Sequence, residues 1–255
     1  SSTLVAINNL GVLLQAKGDL AAAEPLYNEA LEVQRETLGS RHPHTLTAIN
    51  NLGLLLQSKG DLAAAGPLLR EAVEVQRETL GSRHPNTLNT ISNLGRLLKA
   101  KGDLAAAEPL LREALEVQRE TLGGRHPNTL TSINNLGVLL QAKGDLAAAE
   151  PLHREALEGR REALDSRHPD TLTSINNLGV LLQAKGDLAA AEPLYREALE
   201  GRRETLGNRH ADTLTSISNL GALLQAKGDL AAAEPLYREA LEVQRETLGD
   251  RHPDT

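Results

Sequence analysis

Six histidines recur at intervals of 42 residues, each directly after an arginine: His42, His84, His126, His168, His210 and His252. Regularly placed histidine suggests metal ligation or proton transfer. A metal needs several ligands within about 2–2.2 Å of one ion. Equivalent positions on stacked helices lie roughly 8–10 Å apart, too far to share one. The spacing therefore predicts loop residues that cap or pack. His153 takes the place held by Tyr27, Tyr195 and Tyr237 in other copies, which predicts a packing substitution. With no Cys there is no thiolate nucleophile, thiolate metal site or disulfide. Serines and threonines near the predicted helix starts show no paired His and Asp arrangement. The glycines stand singly, not in a phosphate-cradling cluster. We expect no catalytic residue, no metal and no cofactor.

The elements that carry these residues follow from one internal period. Leu-Gly recurs at Gly11, Gly53, Gly95, Gly137, Gly179 and Gly221, always 42 residues apart. The copies are 3–44, 45–86, 87–128, 129–170, 171–212 and 213–254, within a single predicted solenoid domain, 1–255. Copies four and five differ at only five positions, and the scattered differences read as drift after duplication. Copying also explains the narrow composition: no Phe, Trp, Met or Cys, and three tyrosines.

Each copy reads as two helices. Leu46, Ile49, Leu52, Leu55 and Leu56 make one apolar stripe at helical spacing. Pro43 suits the first turn, and Lys59 with Gly60 suits the end. Asp61 caps a second helix that carries Leu62, Ala65, Leu69, Ala72 and Gln76 along one side and closes at Leu80-Gly81. Helices of about 16 and 19 residues are expected, roughly 24 and 28 Å long. Pro25, Pro67, Pro109, Pro151, Pro193 and Pro235 fall inside the second helices, near their starts, where a slight kink and no break is expected. Arg112, Glu116, Arg119 and Glu120 read as an ordinary solvated face.

This pattern resembles the tetratricopeptide repeat. The resemblance rests on Leu52-Gly53, the Gly60-Asp61 turn, and the small residues Ala65 and Ala72. The 42-residue length and the closing Leu-Gly-x-Arg-His-Pro resemble the longer variant of kinesin light chains. The large aromatics usual in the family are missing: Ile49 stands where Trp is common and Leu56 where Tyr is common. The resemblance implies an all-α, right-handed superhelical solenoid of six helix pairs, with the first helices lining a concave groove. Gly53 is expected to let the second helix approach closely, against Ala65 and Ala72.

A polar strip of Thr47, Asn50, Asn51, Leu54, Gln57 and Ser58 runs beside the apolar stripe. By the resemblance this strip faces the groove. Every copy then contributes an asparagine there: Asn9, Asn51, Asn93, Asn135, Asn177 and Asn219. A second polar residue precedes each: Asn8, Asn50, Ser92, Asn134, Asn176 and Ser218. An amide both donates and accepts, so a ladder of them suits the backbone of an extended peptide. The alternative is a solvated face in which asparagines bridge neighbouring helices. In the third copy Arg96 and Lys99 lie three apart on one face, suited to an acidic ligand group.

The net charge of −7 argues against a nucleic-acid partner, and no apolar run is long enough to span a membrane. The start lacks a signal peptide and an initiator Met, so the chain reads as part of a longer, cytoplasmic protein. The leading expectation is a non-catalytic scaffold that binds a peptide or protein segment, acidic near Arg96 and Lys99. The alternative is a structural solenoid that spaces other domains or associates with itself end to end, since nothing resembling a capping helix follows the last copy.

Overall fold

The computed structural model describes residues 2–248; His252 and the end of the last repeat lie outside them. Twelve helices and no strand occur among the described residues. In order they are α1 (Ser2–Ala16), α2 (Leu20–Leu38), α3 (Pro43–Ser58), α4 (Leu62–Thr79), α5 (Pro85–Ala100), α6 (Leu104–Leu122), α7 (Pro127–Ala142), α8 (Leu146–Ala163), α9 (Pro169–Ala184), α10 (Leu188–Leu206), α11 (Ala211–Ala226) and α12 (Leu230–Leu248). They form six repeated helix pairs, an all-α repeat solenoid. The chain divides into two compact units, Ser1–Thr121 and Leu122–Thr255.

The helix limits follow from local chemistry. From α3 onward each first helix starts just after a histidine whose Nδ1 accepts the backbone N–H two residues on, at 3.1–3.2 Å. These five recurring histidines are N-caps, within the expectation of loop residues that cap or pack. The capping Asp of the second helices accepts from the N–H three residues on, as Asp61 does from Ala64 at 2.9 Å. Glycine between the two helices takes a positive φ, for example +83° at Gly60. Copy four has Asp165 where copies one, two, three and five have a positive-φ glycine before Arg-His. There the backbone avoids the left-handed region: α8 stops at Ala163, and Asp165 Oδ1 caps the N–H of Arg167 at 2.7 Å. The second helices run unbroken through their internal prolines.

Within each unit the core repeats. Leu46, Ile49 and Leu55 of α3 are fully buried, as are Ile133 and Leu139 of α7, and Ala65 and Ala72 fill the facing helix. The close approach at the Leu-Gly glycine differs in one respect from the expectation. A Cβ on Gly53 would stand 2.9 Å from Cγ of Leu69, and one on Gly95 would stand 2.8 Å from Cγ of Leu111. In copy five the counterpart of that leucine is the ring of Tyr195. Glycine therefore makes room for the bulky residue of the second helix, with the alanines beside it.

The outer faces of the second helices are not simply solvated. Arg35 pairs with Glu71 at 2.8 Å, Arg77 with Glu113 at 2.6 Å, and Arg161 with Glu197 at 2.7 Å, each to the next repeat. A parallel row joins Arg41 to Glu78, Arg83 to Glu120 and Arg167 to Glu204. Glu120, read from sequence as plain surface, is a rung of that row, and Arg112 is held by Glu108 at 2.7 Å.

Candidate functional site

Six of the asparagines meet in three pairs across repeats, and Asn9, Asn51 and Asn135 are not among them. Asn93 Nδ2 on α5 donates to Asn50 Oδ1 on α3 at 3.0 Å. In the second unit Asn177 donates to Asn134, and Asn219 donates to Asn176, each at 2.9 Å. The donor belongs to the invariant asparagine position and the acceptor to the residue before its counterpart in the preceding copy. Helical spacing puts both on the same flank, and stacking of first helices brings the flanks into contact. Asn134 and Asn176 are buried by this arrangement, whereas Asn50, Asn51, Asn93, Asn135, Asn177 and Asn219 are half-buried. Asn9 on α1 is exposed.

Each bridge uses one amide hydrogen and one lone pair. A side-chain amide has two hydrogens and two lone pairs, so every bridged pair keeps unspent capacity. The acceptor asparagine retains its NH2 group, and the donor asparagine retains its carbonyl. The bridged amides therefore join neighbouring first helices and still leave donors and acceptors over.

Arg96 is exposed and Lys99 half-buried on α5. Among the described residues neither has an ion-pair partner. Burial, and then the nearby charge of Arg96, lower the pKa of Lys99. Lys99 occupies a position that is Gln in the other copies. There Gln15, Gln183 and Gln225 accept the hydroxyl of Tyr27, Tyr195 and Tyr237 at 2.7–3.0 Å. Opposite Lys99 the tyrosine is Leu111, so no hydroxyl needs a partner there. Gln57 faces the same change at Leu69, and its buried Oε1 has no partner.

His153 has no exposed surface, and neither ring nitrogen has a hydrogen-bond partner. Burial pushes its pKa down to about 4. It packs against Gly137, where a Cβ would stand 3.0 Å from its Cε1. Such a ring fills the place of a tyrosine, in line with the substitution read from sequence. No group of three or more His, Cys, Asp or Glu able to hold a metal occurs among the described residues.

Sequence reading missed one buried site. Copies four and five carry Gly-Arg where others carry Val-Gln, at Gly159-Arg160 and Gly201-Arg202. Arg160 Nη1 donates to the carbonyl of Asp170 at 3.0 Å and to Ser174 Oγ at 2.8 Å. Arg202 makes the same bonds to Asp212 and Ser216. Burial lowers the pKa of both guanidiniums, opposed by the charges of Asp170 and Asp212. The accompanying glycine lets a leucine in, since a Cβ on Gly159 would stand 2.4 Å from Leu130 Cδ2. The signal was the paired change, a side chain lost beside one enlarged. These arginines fasten a second helix to the start of the next first helix, a structural task.

No described helix is long and apolar enough to cross a membrane. No curated protein matches the chain. Among solved structures, a protein described as a kinesin light chain of Podosopora anserina with nearly identical TPR-like repeats is 30% identical, covering 83% of this chain and 99% of its own, with a TM-score of 0.67. A variant of that protein gives 29% identity, 81% and 98% coverage, and a TM-score of 0.68. BtubC (BKLC) of P. vanneervenii is 26% identical over 92% of this chain and 94% of its own, with a TM-score of 0.72. The comparisons indicate no enzyme family, and proteins built from these repeats generally mediate protein–protein interaction. The model of the tetratricopeptide repeat matches in overlapping stretches, 2–65, 46–120, 92–162, 130–204, 170–246 and 212–255, and the chain belongs to that family.

Proposed function

We propose that this chain is an interaction scaffold that holds an extended peptide segment along the asparagine-bearing face of its first helices. The observation that carries the reading is the row of amides linked across repeats with capacity to spare. Bridging fixes the planes of the six amides it joins before a ligand arrives, which reduces the ordering cost of binding. The spare NH2 and carbonyl groups then meet the alternating C=O and N–H groups of an extended backbone, whatever its side chains. Arg96 and Lys99, without acidic partners, favour an acidic residue in the segment near the third repeat. The same bridges also join neighbouring first helices.

A peptide-display selection against the chain supplies a ligand, and the ligand is then measured on a variant with Asn51, Asn93, Asn135 and Asn177 changed to Ala. We expect affinity to fall at least tenfold while far-UV circular dichroism stays unchanged. Unchanged affinity for a peptide shown by cross-linking to lie on the first helices would overturn the ladder.

A further inference from the structure

The fifth residue of the second helix is Glu in five copies, Glu24, Glu108, Glu150, Glu192 and Glu234, and Gly66 in copy two. The second unit shows what that glutamate does. Glu150 is held by Lys185, at the end of the next first helix, and by Arg154 one turn along its own helix, at 2.7 Å. Glu192 is held in the same way by Lys227 and Arg196. Hydrogen bonds from Lys185 and Arg154 keep the Glu150 carboxyl below the ordinary carboxylate range, and the bond from Lys227 leads the same effect on Glu192. In the first unit Lys59 holds Glu24.

At Gly66 the cations remain and the acid is gone. Arg70 Nη1 and Lys101 Nζ stand 3.5 and 3.8 Å from the point a Cβ of residue 66 would occupy. Leu97 Cδ2, at 3.8 Å, forms the apolar wall. Among the described residues neither Arg70 nor Lys101 has a carboxylate partner. Two converging cations without a counter-charge repel each other, and a carboxylate between them gains charge-assisted hydrogen bonds from both. The sister repeats show that this pair of positions does hold a carboxylate.

We infer that the notch at Gly66 is a carboxylate-binding site, occupied by an Asp or Glu side chain of a bound peptide. That side chain replaces from outside the group that the other copies supply from within. The notch is built from a second helix and the end of a first, uses no asparagine, and stands whether or not the amide row binds.

The test uses the full chain at low ionic strength and a fluorescein-labelled peptide of alternating Gly and Glu as probe, read by anisotropy. The matching Gly and Gln peptide and sodium acetate serve as comparisons. Backbone amide NMR of Gly66 and Lys101 locates the contact. We expect saturable binding of the Glu peptide with shifts at both amides and none from the Gln peptide. Gly66→Glu and Lys101→Ala should each weaken binding at least tenfold. Equal binding by Gly66→Glu, or by the Gln peptide, overturns the site. Saturation by acetate that the peptide does not improve overturns a peptide as its occupant. Loss of binding in an Asn51→Ala, Asn93→Ala double variant assigns the contact to the amide row and overturns the notch.

Discussion

His153 shows how one substitution in a copied array leaves a mark that chemistry can read. Its tyrosine counterparts each donate a hydroxyl to a glutamine of the facing helix, as Tyr195 does to Gln183 at 2.7 Å. The imidazole keeps the packing and loses that bond, leaving both nitrogens unpartnered in a fully buried place. Its pKa falls from 6.5 to about 4. The unfolded chain therefore takes up a proton before the folded one, and stability is lost as pH drops from about 6.5 towards 4. A shift of this size corresponds to about 3 kcal/mol at the acid end. His153→Tyr should raise stability at neutral pH by about 1–2 kcal/mol, by satisfying buried polar groups and regaining the hydroxyl bond to Gln141. The gap between variant and parent should widen on acidification. Urea denaturation at pH 7, 6 and 5 measures it, and a gap constant with pH would show that the imidazole is not buried neutral. The sequence displayed the substitution plainly, because the other copies supplied the comparison. It could not display the orphaned nitrogens, which depend on the depth of the ring behind Gly137.

Helix limits were legible for a similar reason: each start and stop is set by residues within a few positions. The recurring histidine, the proline and the capping aspartate act locally, and the observed helices begin where they stand. The rows of ion pairs were not legible that way, because Arg77 and Glu113 are distant in sequence and meet only through stacking. Subtracting the 42-residue period brings the partners within six positions of each other, which is the signal that would have found them. The amide bridges were hidden likewise, since Asn93 and Asn50 share a flank only once neighbouring first helices touch. Two helical glycines sharpen the point, because propensity alone favours alanine at both by about 1 kcal/mol. At Gly66 a new Cβ meets nothing nearer than 3.5 Å, so Gly66→Ala should stabilise by about 0.5–1 kcal/mol. At Gly95 the same atom would stand 2.7 Å from Leu111 Cδ2, and the overpacking cost of about 1–3 kcal/mol exceeds the gain. Gly95→Ala should therefore destabilise, by up to about 2 kcal/mol. Chemical denaturation of both variants checks the opposite signs; two shifts of one sign would mean that helix propensity, or packing, acts alone.

Over the chain as a whole, copying makes one repeat interchangeable with another wherever the contacting residues recur. Copies four and six illustrate the consequence. Removing residues 171–212 joins Asp170 to Thr213 and keeps the register of every repeating position. Asn219 then faces Asn134, which now accepts from Asn177. Lys227, now held by Glu192, meets Glu150, and Arg161 meets Glu239 in place of Glu197. Arg160 finds Ser216 where Ser174 stood. In a repeat array stability is close to a sum of repeat and nearest-neighbour terms, so one repeat and one interface are lost and nothing else is disturbed. The shortened chain should therefore keep its helicity per residue and unfold with a dependence on denaturant about a sixth smaller, in proportion to the surface removed. Circular dichroism during urea denaturation measures both quantities. A drop in helicity per residue would mean that copies four and five carry contacts their neighbours cannot replace, with the buried arginines the first place to look.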